Sequence, residues 1–543
     1  IRAATSRTDI ARLMGQTAKG FGRSVFDPFV YDDAKDPLKY TVYLSQGGIT
    51  LPDRDYYLED KFAPQRAAYE AYIAKMLTLA GWPDAEARAK AILAMETEVA
   101  KVSWTRAERR DDDKTYNPYA VKDLAAFAPG FDWNALLAGA NLSAATRVIA
   151  AESTAFPKIA AIYAQTDLDT LKAWLAFTVA DQAAPYLSKA FDEARFEFRN
   201  KTLSGTPAQQ PRWKRGVTLV DNNLGEAVGK LYVQAYFPAE SKAAMEALVG
   251  DLRTAMAGRI DKLDWMSPET KKQAQTKLST FKRKIGYPDV LRGFKGLSVD
   301  RSSYASNVLR ANQFQIRRNF QDLGKPRDKT RWGWSPSTVN ASYSSLNNEI
   351  NFPAGILQPP FFNFDADDAI NYGAIGGVIG HEITHGFDDQ GSRFDSEGNL
   401  KMWWTTQDRE KFEERAECLV KQWDGYEVQP GLFMVGKLAL GENIGDFAGL
   451  SVAYDAFMRS LEGKPRPKDI DGFTAEQRFF LGWAQVWAGK YTAAAEIAQV
   501  KNGPHSLPRW RVNGPLSNMP QFRAAFDCDA GDAMVRETPC SIW

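Results

Sequence analysis

Gly380-His381-Glu382-Ile383-Thr384-His385 is the stretch on which the interpretation of this sequence depends. Two histidines four positions apart lie on one face of an α-helix, so both imidazoles can reach the same metal ion. Zinc accepts imidazole nitrogen readily. Glu382 lies about 100° around the helix from His381, where its carboxylate can act as a base without binding the metal. The stretch therefore predicts a helix that carries a zinc site and a general base.

The residues before this stretch predict that the helix is closely packed. Four glycines precede or begin the motif, and each costs a helix about 1 kcal/mol relative to alanine; they are Gly373, Gly376, Gly377 and Gly380. Close approach of a neighbouring element or of a substrate would offset that cost. Ile375, Ile379 and Ile383 recur at four-residue spacing and predict the face that packs into the core.

A catalytic zinc site needs a third protein ligand. Position 391, six residues past the second histidine, is glycine and cannot supply it. His505, the remaining one of the three histidines, is one candidate. Glu442 is the other, because Asp446 lies four residues further on and could hold an imidazole by its second nitrogen. The spacing favours Glu442 and leaves both open.

Composition excludes several classes of protein. A chain of 543 residues is too long for one hydrophobic core, which predicts two large lobes. A net charge of +1 gives no reason to expect nucleic acid or an acidic membrane as a partner. No apolar run approaches the ~18 to 20 residues that span a bilayer. The sequence begins at Ile1 without a signal-like stretch, so we expect any export signal or anchor to lie outside this chain.

The pattern along the chain predicts a predominantly α fold with a small β component (α+β). Residues 60 to about 285 have helical periodicity. Ser267-Pro268-Glu269 predicts a helix start, and Gly286-Tyr287-Pro288 predicts the end of that helix. Short strands are expected within residues 332–343 and 348–364. Helices are expected after them, at residues 369–386, 405–422, 442–462 and 475–490. We divide the chain into a mainly helical lobe, residues 1–300, with interlobe linkers near 230–330, and a zinc-binding lobe, residues 301–543.

The sequence resembles the neprilysin family of zinc metallopeptidases over nearly its whole length. Glu442-Asn443-Ile444-Gly445-Asp446 is similar to the family's second zinc motif, with Gly445 in place of alanine. The resemblance implies one zinc ion per chain, with His381, His385 and Glu442 as its ligands. It also implies that Asp446 and Asp388 hydrogen-bond to the metal-binding imidazoles.

Two further motifs imply substrate contacts. Val339-Asn340-Ala341-Ser342-Tyr343 resembles the strand with which the family binds the substrate backbone, through Asn340 and Ala341. His505 and Arg511 keep the family's six-residue spacing. The resemblance implies that His505 stabilises the developing oxyanion and that Arg511 holds a substrate carbonyl. Arg509 is the rival for the arginine role, and the spacing favours Arg511.

Residues 351–362 also match the family closely and imply a pocket for the residue after the cleaved bond. By position its lining is Ile356, Phe361, Val378, Val486 and Trp487. This implies a preference for large apolar side chains. Gly377 stands where a related enzyme has methionine, which implies a deeper pocket.

The family's architecture implies a thermolysin-like catalytic lobe capped by a large all-helical lobe that encloses a central cavity. That cavity would admit oligopeptides and exclude folded proteins. The motifs at residues 51–57 and 265–272 are further matches in the capping lobe.

The cysteine count is odd, so at most one internal pair forms among Cys418, Cys528 and Cys540. The resemblance implies a Cys418–Cys540 disulfide, and a partner for Cys528 in an amino-terminal segment outside this chain. A disulfide suits an exported protein. We expect a periplasmic or extracellular monomer, or one held to a membrane through a segment outside this chain.

The hypothesis is a zinc endopeptidase of oligopeptides in which Glu382, His505 and Asp446 serve catalysis. A catalytically silent peptide-binding protein of the same fold is the alternative, and a hydrolase of non-peptide amides is a second one. Peptides are the expected partners of the endopeptidase and of the peptide-binding protein.

Overall fold

The computed structural model describes residues 1–543, of which 54% are helical and 9% lie in strands. The predominantly α fold with a small β component is confirmed. The α-helices are α1 (Arg7–Thr17), α2 (Asp55–Leu58), α3 (Ala63–Leu79), α4 (Ala85–Val102), α5 (Asp112–Thr115), α6 (Leu124–Phe127), α7 (Trp133–Gly139), α8 (Phe156–Gln165), α9 (Leu168–Ala183), α10 (Lys189–Arg195), α11 (Arg212–Tyr236), α12 (Ala239–Lys262), α13 (Pro268–Ser279), α14 (Tyr304–Phe320), α15 (Asp368–Asn371), α16 (Gly377–Thr384), α17 (Thr406–Asp424), α18 (Leu440–Ser460), α19 (Ala475–Val486), α20 (Ala493–Asn502), α21 (Pro508–Leu516) and α22 (Pro520–Ala525). The strands are β1 (Phe26–Asp33), β2 (Asp36–Gln46), β3 (Pro118–Ala120), β4 (Arg147–Ala150), β5 (Lys282–Gly286), β6 (Ser342–Ser344), β7 (Glu349–Pro353), β8 (Glu427–Gln429) and β9 (Leu432–Phe433).

The chain forms two compact units. The first contains residues 1–215, 294–327 and 492–502, and the second contains residues 216–293, 328–491 and 503–543. No helix is both long enough and apolar enough to cross a lipid bilayer.

The first unit is mainly helical and also contains a four-stranded sheet in the order β1-β2-β4-β3. The expectation of an all-helical lobe therefore needs this correction. A buried carboxylate, Glu96 on α4, ties the helices together. It accepts hydrogen bonds from Tyr57 and Tyr69 at 2.6 and 2.7 Å and from the Trp174 indole at 2.7 Å. These donors satisfy a charge that would otherwise be costly to bury.

The second unit has a three-stranded sheet in the order β5-β7-β6. Strand β5 runs parallel to β7, and β6 pairs antiparallel with β7, with Ser342 opposite Asn351. Because β6 is an edge strand, one of its sides has unpaired backbone groups. Cys418 on α17 and Cys540 form a disulfide, as predicted.

The unit boundaries differ from the predicted division at residue 300. Helices α12 and α13 belong to the second unit, where Arg259 on α12 binds Asp455 on α18 at 2.6 Å. Helices α14 and α20 belong to the first. Helical character alone had assigned α12 and α13 to the helical lobe, but the contacts that decide the assignment join residues almost 200 positions apart.

The helix start at Ser267 is confirmed, because its side chain accepts the Thr270 amide hydrogen and Pro268 is the first helical residue. The predicted end of that helix at Gly286-Tyr287-Pro288 is wrong. The helix ends at Ser279, and residues 282–286 form strand β5. The strands expected near residues 342 and 350 are present as β6 and β7.

Candidate metal centre

The helix that carries the metal motif is continuous from α15 through a π-helical turn, Tyr372–Gly376, into α16. Two of its four glycines, Gly373 and Gly380, lie against neighbouring backbone, as expected. A Cβ on Gly373 would come within 1.9 Å of the Phe479 carbonyl oxygen, and a Cβ on Gly380 within 2.2 Å of the Gly449 carbonyl oxygen. Only glycine allows α16 and α18 to approach this closely. The Ile375, Ile379 and Ile383 side chains are completely buried.

Three predicted ligands converge between α16 and α18. Donor atoms of His381, His385 and Glu442 all lie within 4.8 Å of one another. His381 Nε2 is 3.3 Å from Glu442 Oε2, and His385 Nε2 is 3.9 Å from Glu442 Oε1. His381 lies on α16 and His385, one turn further on, is the residue directly after its end, while Glu442 lies in the first turn of α18.

Each imidazole is oriented by a carboxylate on its other nitrogen. His381 Nδ1 lies 2.8 Å from Asp446 Oδ1, and His385 Nδ1 lies 2.7 Å from Asp388 Oδ2. Both Nε2 atoms are thereby directed toward the Glu442 carboxylate. Such carboxylate–histidine pairs are the usual way in which a protein fixes a metal-binding tautomer.

The donor set fits zinc. Glu442 Oε2 is buried and has no hydrogen-bond partner, which is costly unless a cation lies against it. Burial opposes charge on this carboxyl, but the neighbouring histidines hold the pKa of Glu442 well below its ordinary value. Two imidazole nitrogens and one carboxylate oxygen form a ligand set that catalytic zinc sites use, with one position left for water or substrate.

Glu382 lies beside the ligands and is only 5% exposed. Burial raises the pKa of Glu382, against the opposing influence of His381 and His385. A raised pKa brings a carboxyl closer to the range in which it can both take up and release a proton near neutral pH.

His505 and Arg511 both join this cluster. His505 is half-exposed, and its Nε2 lies 3.2 Å from Glu442 Oε2. Arg511 on α21 is buried and makes two bonds to Asp446, from Nε at 2.7 Å and from Nη2 at 2.6 Å. Arg509, its rival, is exposed and lies over the Trp510 ring.

The predicted substrate-binding residues lie at the edge of the three-stranded sheet. Asn340 is exposed and Ala341 is buried, and both directly precede edge strand β6. The Asn340 side-chain oxygen accepts the Ala341 amide hydrogen at 3.0 Å.

The predicted pocket residues differ in burial. Ile356 and Val378 are buried, and Phe361, Val486 and Trp487 are partly buried. The Trp487 ring lies 3.8 Å from the Arg511 guanidinium carbon, which links this group to the metal cluster.

The deeper pocket expected at Gly377 is not present at that position. A Cβ there would lie 2.7 Å from the Trp483 ring, so the indole fills the space that a side chain would need.

A contact that the sequence did not predict holds the His505 segment. The Ser506 hydroxyl donates to Asn443 Oδ1 at 2.7 Å, and both residues are buried. Asn443 directly follows Glu442, and Ser506 directly follows His505. The sequence signal for this contact was therefore a polar residue next to each of two predicted site residues.

Comparisons with known proteins agree with this site. The family description "Peptidase family M13" matches residues 1–288 through its amino-terminal part and residues 340–542 through its peptidase part. An endothelin-converting enzyme homolog from Locusta migratoria is 35% identical over 95% of this chain and 74% of its own length. Neprilysin-11 from Caenorhabditis elegans is 34% identical over 99% of this chain and 67% of its own length.

Solved structures of other proteins are similar to this chain over almost its whole length. The zinc metalloprotease Zmp1 of Mycobacterium tuberculosis, in complex with an inhibitor, has a TM-score of 0.96 and 39% identity, covering 100% of this chain and 84% of its own. PepO from Lactobacillus rhamnosis has a TM-score of 0.88 and 27% identity, covering 99% of this chain and 84% of its own. The chain therefore belongs to peptidase family M13, the neprilysin family, and is a zinc metalloendopeptidase.

Proposed function

We propose that this enzyme cleaves oligopeptides before large hydrophobic residues, with one zinc ion per chain and Glu382 as its general base. The observation that carries the proposal is the convergence of His381, His385 and Glu442 within 4.8 Å beside the buried Glu382 carboxyl. His381, His385 and Glu442 would hold the zinc ion. When bound, zinc polarises the scissile carbonyl and lowers the pKa of water toward neutrality.

The role of Glu382 is to move a proton. It takes one from the attacking water and delivers it to the nitrogen of the leaving amine, so that peptide and water become a carboxylic acid and an amine. Its burial supports this role because a carboxyl with a raised pKa accepts and returns a proton more readily near neutral pH. Activation of a water by a glutamate between two metal-binding histidines is the expected use of this motif.

His505 supplies an imidazole and Arg511 supplies a guanidinium group beside the proposed metal site. The half-exposed His505 imidazole can reach a substrate, and we assign it to the oxyanion that develops on the carbonyl. Arg511 is bonded twice to Asp446 and remains near Glu442 Oε2 at 3.7 Å. We assign Arg511 to a carbonyl of the substrate beyond the scissile bond, with Asp446 holding it in place.

Asn340 and Ala341 would hold the peptide backbone. They lead into β6, whose outer edge has unpaired amide and carbonyl groups that an extended peptide can pair with. Holding the peptide in register brings the scissile carbonyl to the base and makes the attack effectively intramolecular.

The side-chain preference follows from the apolar residues near the metal helix. Val378 stands one turn before His381, and Trp487 stacks on Arg511. With Ile356, Phe361 and Val486, they would line a pocket for the residue after the cleaved bond. We therefore expect phenylalanine or leucine there to be preferred over small or charged residues.

The size of the substrate, the cellular location of the enzyme and its oligomeric state remain proposals. Oligopeptide substrates rest on the family resemblance. The Cys418–Cys540 disulfide supports an oxidising compartment such as the periplasm or the extracellular space, with or without a membrane anchor outside this chain. We expect a monomer.

Cleavage of matched peptides tests this function. One quenched fluorescent peptide would carry phenylalanine after the expected scissile bond and its pair would carry aspartate, with the cleavage site read by mass spectrometry. We expect the phenylalanine peptide to be cleaved before that residue, the activity to disappear with a chelator and zinc to restore it. Preferential cleavage of the aspartate peptide would contradict the pocket assignment. A zinc-loaded enzyme that binds both peptides and cleaves neither would favour the silent peptide-binding alternative.

A further inference from the structure

We propose that Lys277 is a positioning residue that holds the segment behind His385 and so sets the affinity of the enzyme for its metal. Lys277 lies on α13 and belongs to none of the metal or substrate motifs. The inference rests on the metal site of the proposed function and concerns a residue outside it.

Lys277 is one of the most deeply buried charged residues in the second unit, with 1% of its surface exposed. Its amino nitrogen donates to the Gly391 carbonyl at 2.6 Å and to the Phe394 carbonyl at 2.7 Å. Lysine is almost never fully buried unless its amino group has partners. These two carbonyls are therefore the partners that the buried amino group needs.

The surroundings of the amino group are aromatic. The Tyr343, Phe387 and Trp403 rings have their centroids 5.7 to 5.8 Å from Lys277 Nζ. Burial lowers the pKa of Lys277 to about 7, against the opposing charges of Asp388 and Asp395. A neutral amine keeps two N–H donors, so both carbonyl bonds can persist in either protonation state.

The segment that Lys277 holds supports the imidazole of His385. The Gly391 amide donates to Asp388 Oδ1 at 2.6 Å, while Asp388 Oδ2 lies 2.7 Å from His385 Nδ1. Lys277 therefore binds the carbonyl group of Gly391, and the amide group of Gly391 binds the carboxylate that orients His385.

Packing leaves this segment little room to move. A Cβ on Gly391 would lie 1.7 Å from the His385 carbonyl oxygen, so the segment is pressed against the end of the metal helix. A shift at Gly391 would be passed on to the helix end and to Asp388. This close contact is why two bonds from Lys277 can influence the metal site without reaching it.

The two metal histidines are supported in parallel ways. His381 is held by Asp446, and the guanidinium of Arg511 binds that carboxylate directly. His385 is held by Asp388, and the amino group of Lys277 secures the residue that donates to that carboxylate. Each imidazole–carboxylate pair thus has one buried basic residue behind it.

The test measures zinc affinity by competition with a chelator, using the whole chain. Groups that orient metal ligands typically contribute 10- to 100-fold to metal affinity. We expect Lys277→Met to weaken zinc binding about tenfold or more, and Lys277→Gln, which keeps an N–H donor group, to weaken it less. Lys272→Met, on the exposed side of the same helix, should leave zinc affinity unchanged.

A double-mutant cycle separates positioning from general destabilisation. If Lys277 acts through Asp388, Lys277→Met should weaken zinc binding by less than about threefold once Asp388→Ala is present. Leu278→Ala removes a buried side chain on the same helix without breaking a bond to the segment. It should lower the unfolding midpoint and leave zinc affinity near that of the wild type. Lys277→Gln replaces Lys277→Met in the cycle if the methionine variant does not fold.

The outcomes are distinct. Unchanged zinc affinity in the folded Lys277 variant would overturn the proposal, as would a full loss that persists with Asp388→Ala. A loss that Leu278→Ala reproduces at equal stability would also overturn it. A wild-type chain that binds no zinc would instead contradict the metal site itself.

Discussion

Asp446 connects the metal site to Arg511, the arginine that we propose binds substrate. It is completely buried, and its carboxylate bonds to His381 Nδ1 and twice to Arg511. The positive charge of Arg511 and the bond from His381 lower the pKa of Asp446 despite its burial. One carboxylate therefore orients a metal ligand and neutralises the arginine beside it.

Replacing Asp446 by asparagine should affect metal binding more than its small change in shape suggests. We expect Asp446→Asn to weaken zinc binding about 10- to 100-fold, because the His381 imidazole loses its anionic partner. Removing the carboxylate charge that pairs with the buried Arg511 guanidinium should also cost about 3 to 5 kcal/mol of unfolding free energy. Chelator competition and urea unfolding measure the two effects.

Asp455→Asn is the matched control, on the same helix α18. It removes the negative charge that pairs with Arg259, away from the metal cluster, and should leave zinc affinity unchanged. Equal zinc affinities of the two variants would show that Asp446 does not orient the metal site.

At the residue scale, the sequence predicted the residues of the site better than it predicted the contacts that they make. The spacing of His381 and His385 was sufficient for the helix-borne pair. Glu442 was preferred over His505 by spacing and was assigned only through the family motif. The contacts made by Lys277 and Ser506 were not predictable, because each depends on a residue more than 60 positions away.

Among the elements, α16 and α18 form the contact on which the metal site depends. A Cβ on Gly380 would lie 2.2 Å from the Gly449 carbonyl oxygen, and a Cβ on Gly449 would lie 2.2 Å from the His381 amide nitrogen. Gly380 on α16 and Gly449 on α18 are therefore a requirement of packing. They bring the two helices close enough for Glu442 to reach both histidines.

A pair of alanine substitutions tests this contact. Gly380→Ala should destabilise the second unit by about 1 to 3 kcal/mol, because backbone must move to admit the methyl group. Gly376→Ala, whose Cβ would lie 3.4 Å from the Asn371 carbonyl oxygen at ordinary contact distance, should be neutral or stabilise by up to about 1 kcal/mol. Urea unfolding of both variants measures the difference. Equal effects would contradict the account of the α16–α18 contact.

Helices with strong periodicity were predictable, and elements that depend on distant pairing were not. The helices around residues 369–386 and 405–422 agree with α15–α16 and α17 within a few residues. Strand β5 was mistaken for helix because its identity comes from parallel pairing with β7, more than 60 residues later. The sheet of the first unit includes a parallel pairing of β2 with β4 across about 100 residues, which local sequence does not encode.

On the scale of the whole molecule, the chain passes between its two units several times. Residues 492–502 belong to the first unit although the residues on both sides belong to the second. A single boundary cannot describe such a chain, which is why the division at residue 300 differs from the structure.

The Cys418–Cys540 disulfide closes a loop of 122 residues and should stabilise the second unit. Replacing both cysteines by serine should lower the free energy of unfolding by about 2 to 4 kcal/mol. Cys528→Ser is the matched control, because Cys528 forms no disulfide. We expect a reductant to lower the urea midpoint of wild type and of the Cys528 variant, and to leave the double serine variant unchanged. A reductant that lowers all three midpoints equally would contradict a stabilising role for this bond.

The most direct test of the mechanism is the activity of Glu382→Gln at a measured zinc content. Glutamine keeps the shape of the side chain and removes the proton acceptor, while His381, His385 and Glu442 remain to hold zinc. The exposed Glu413 on α17 provides the matched control, Glu413→Gln. We expect Glu382→Gln to bind zinc as wild type does and to lose at least about a hundredfold in kcat/KM, while Glu413→Gln keeps both. A zinc-loaded Glu382→Gln enzyme as active as wild type would contradict the account.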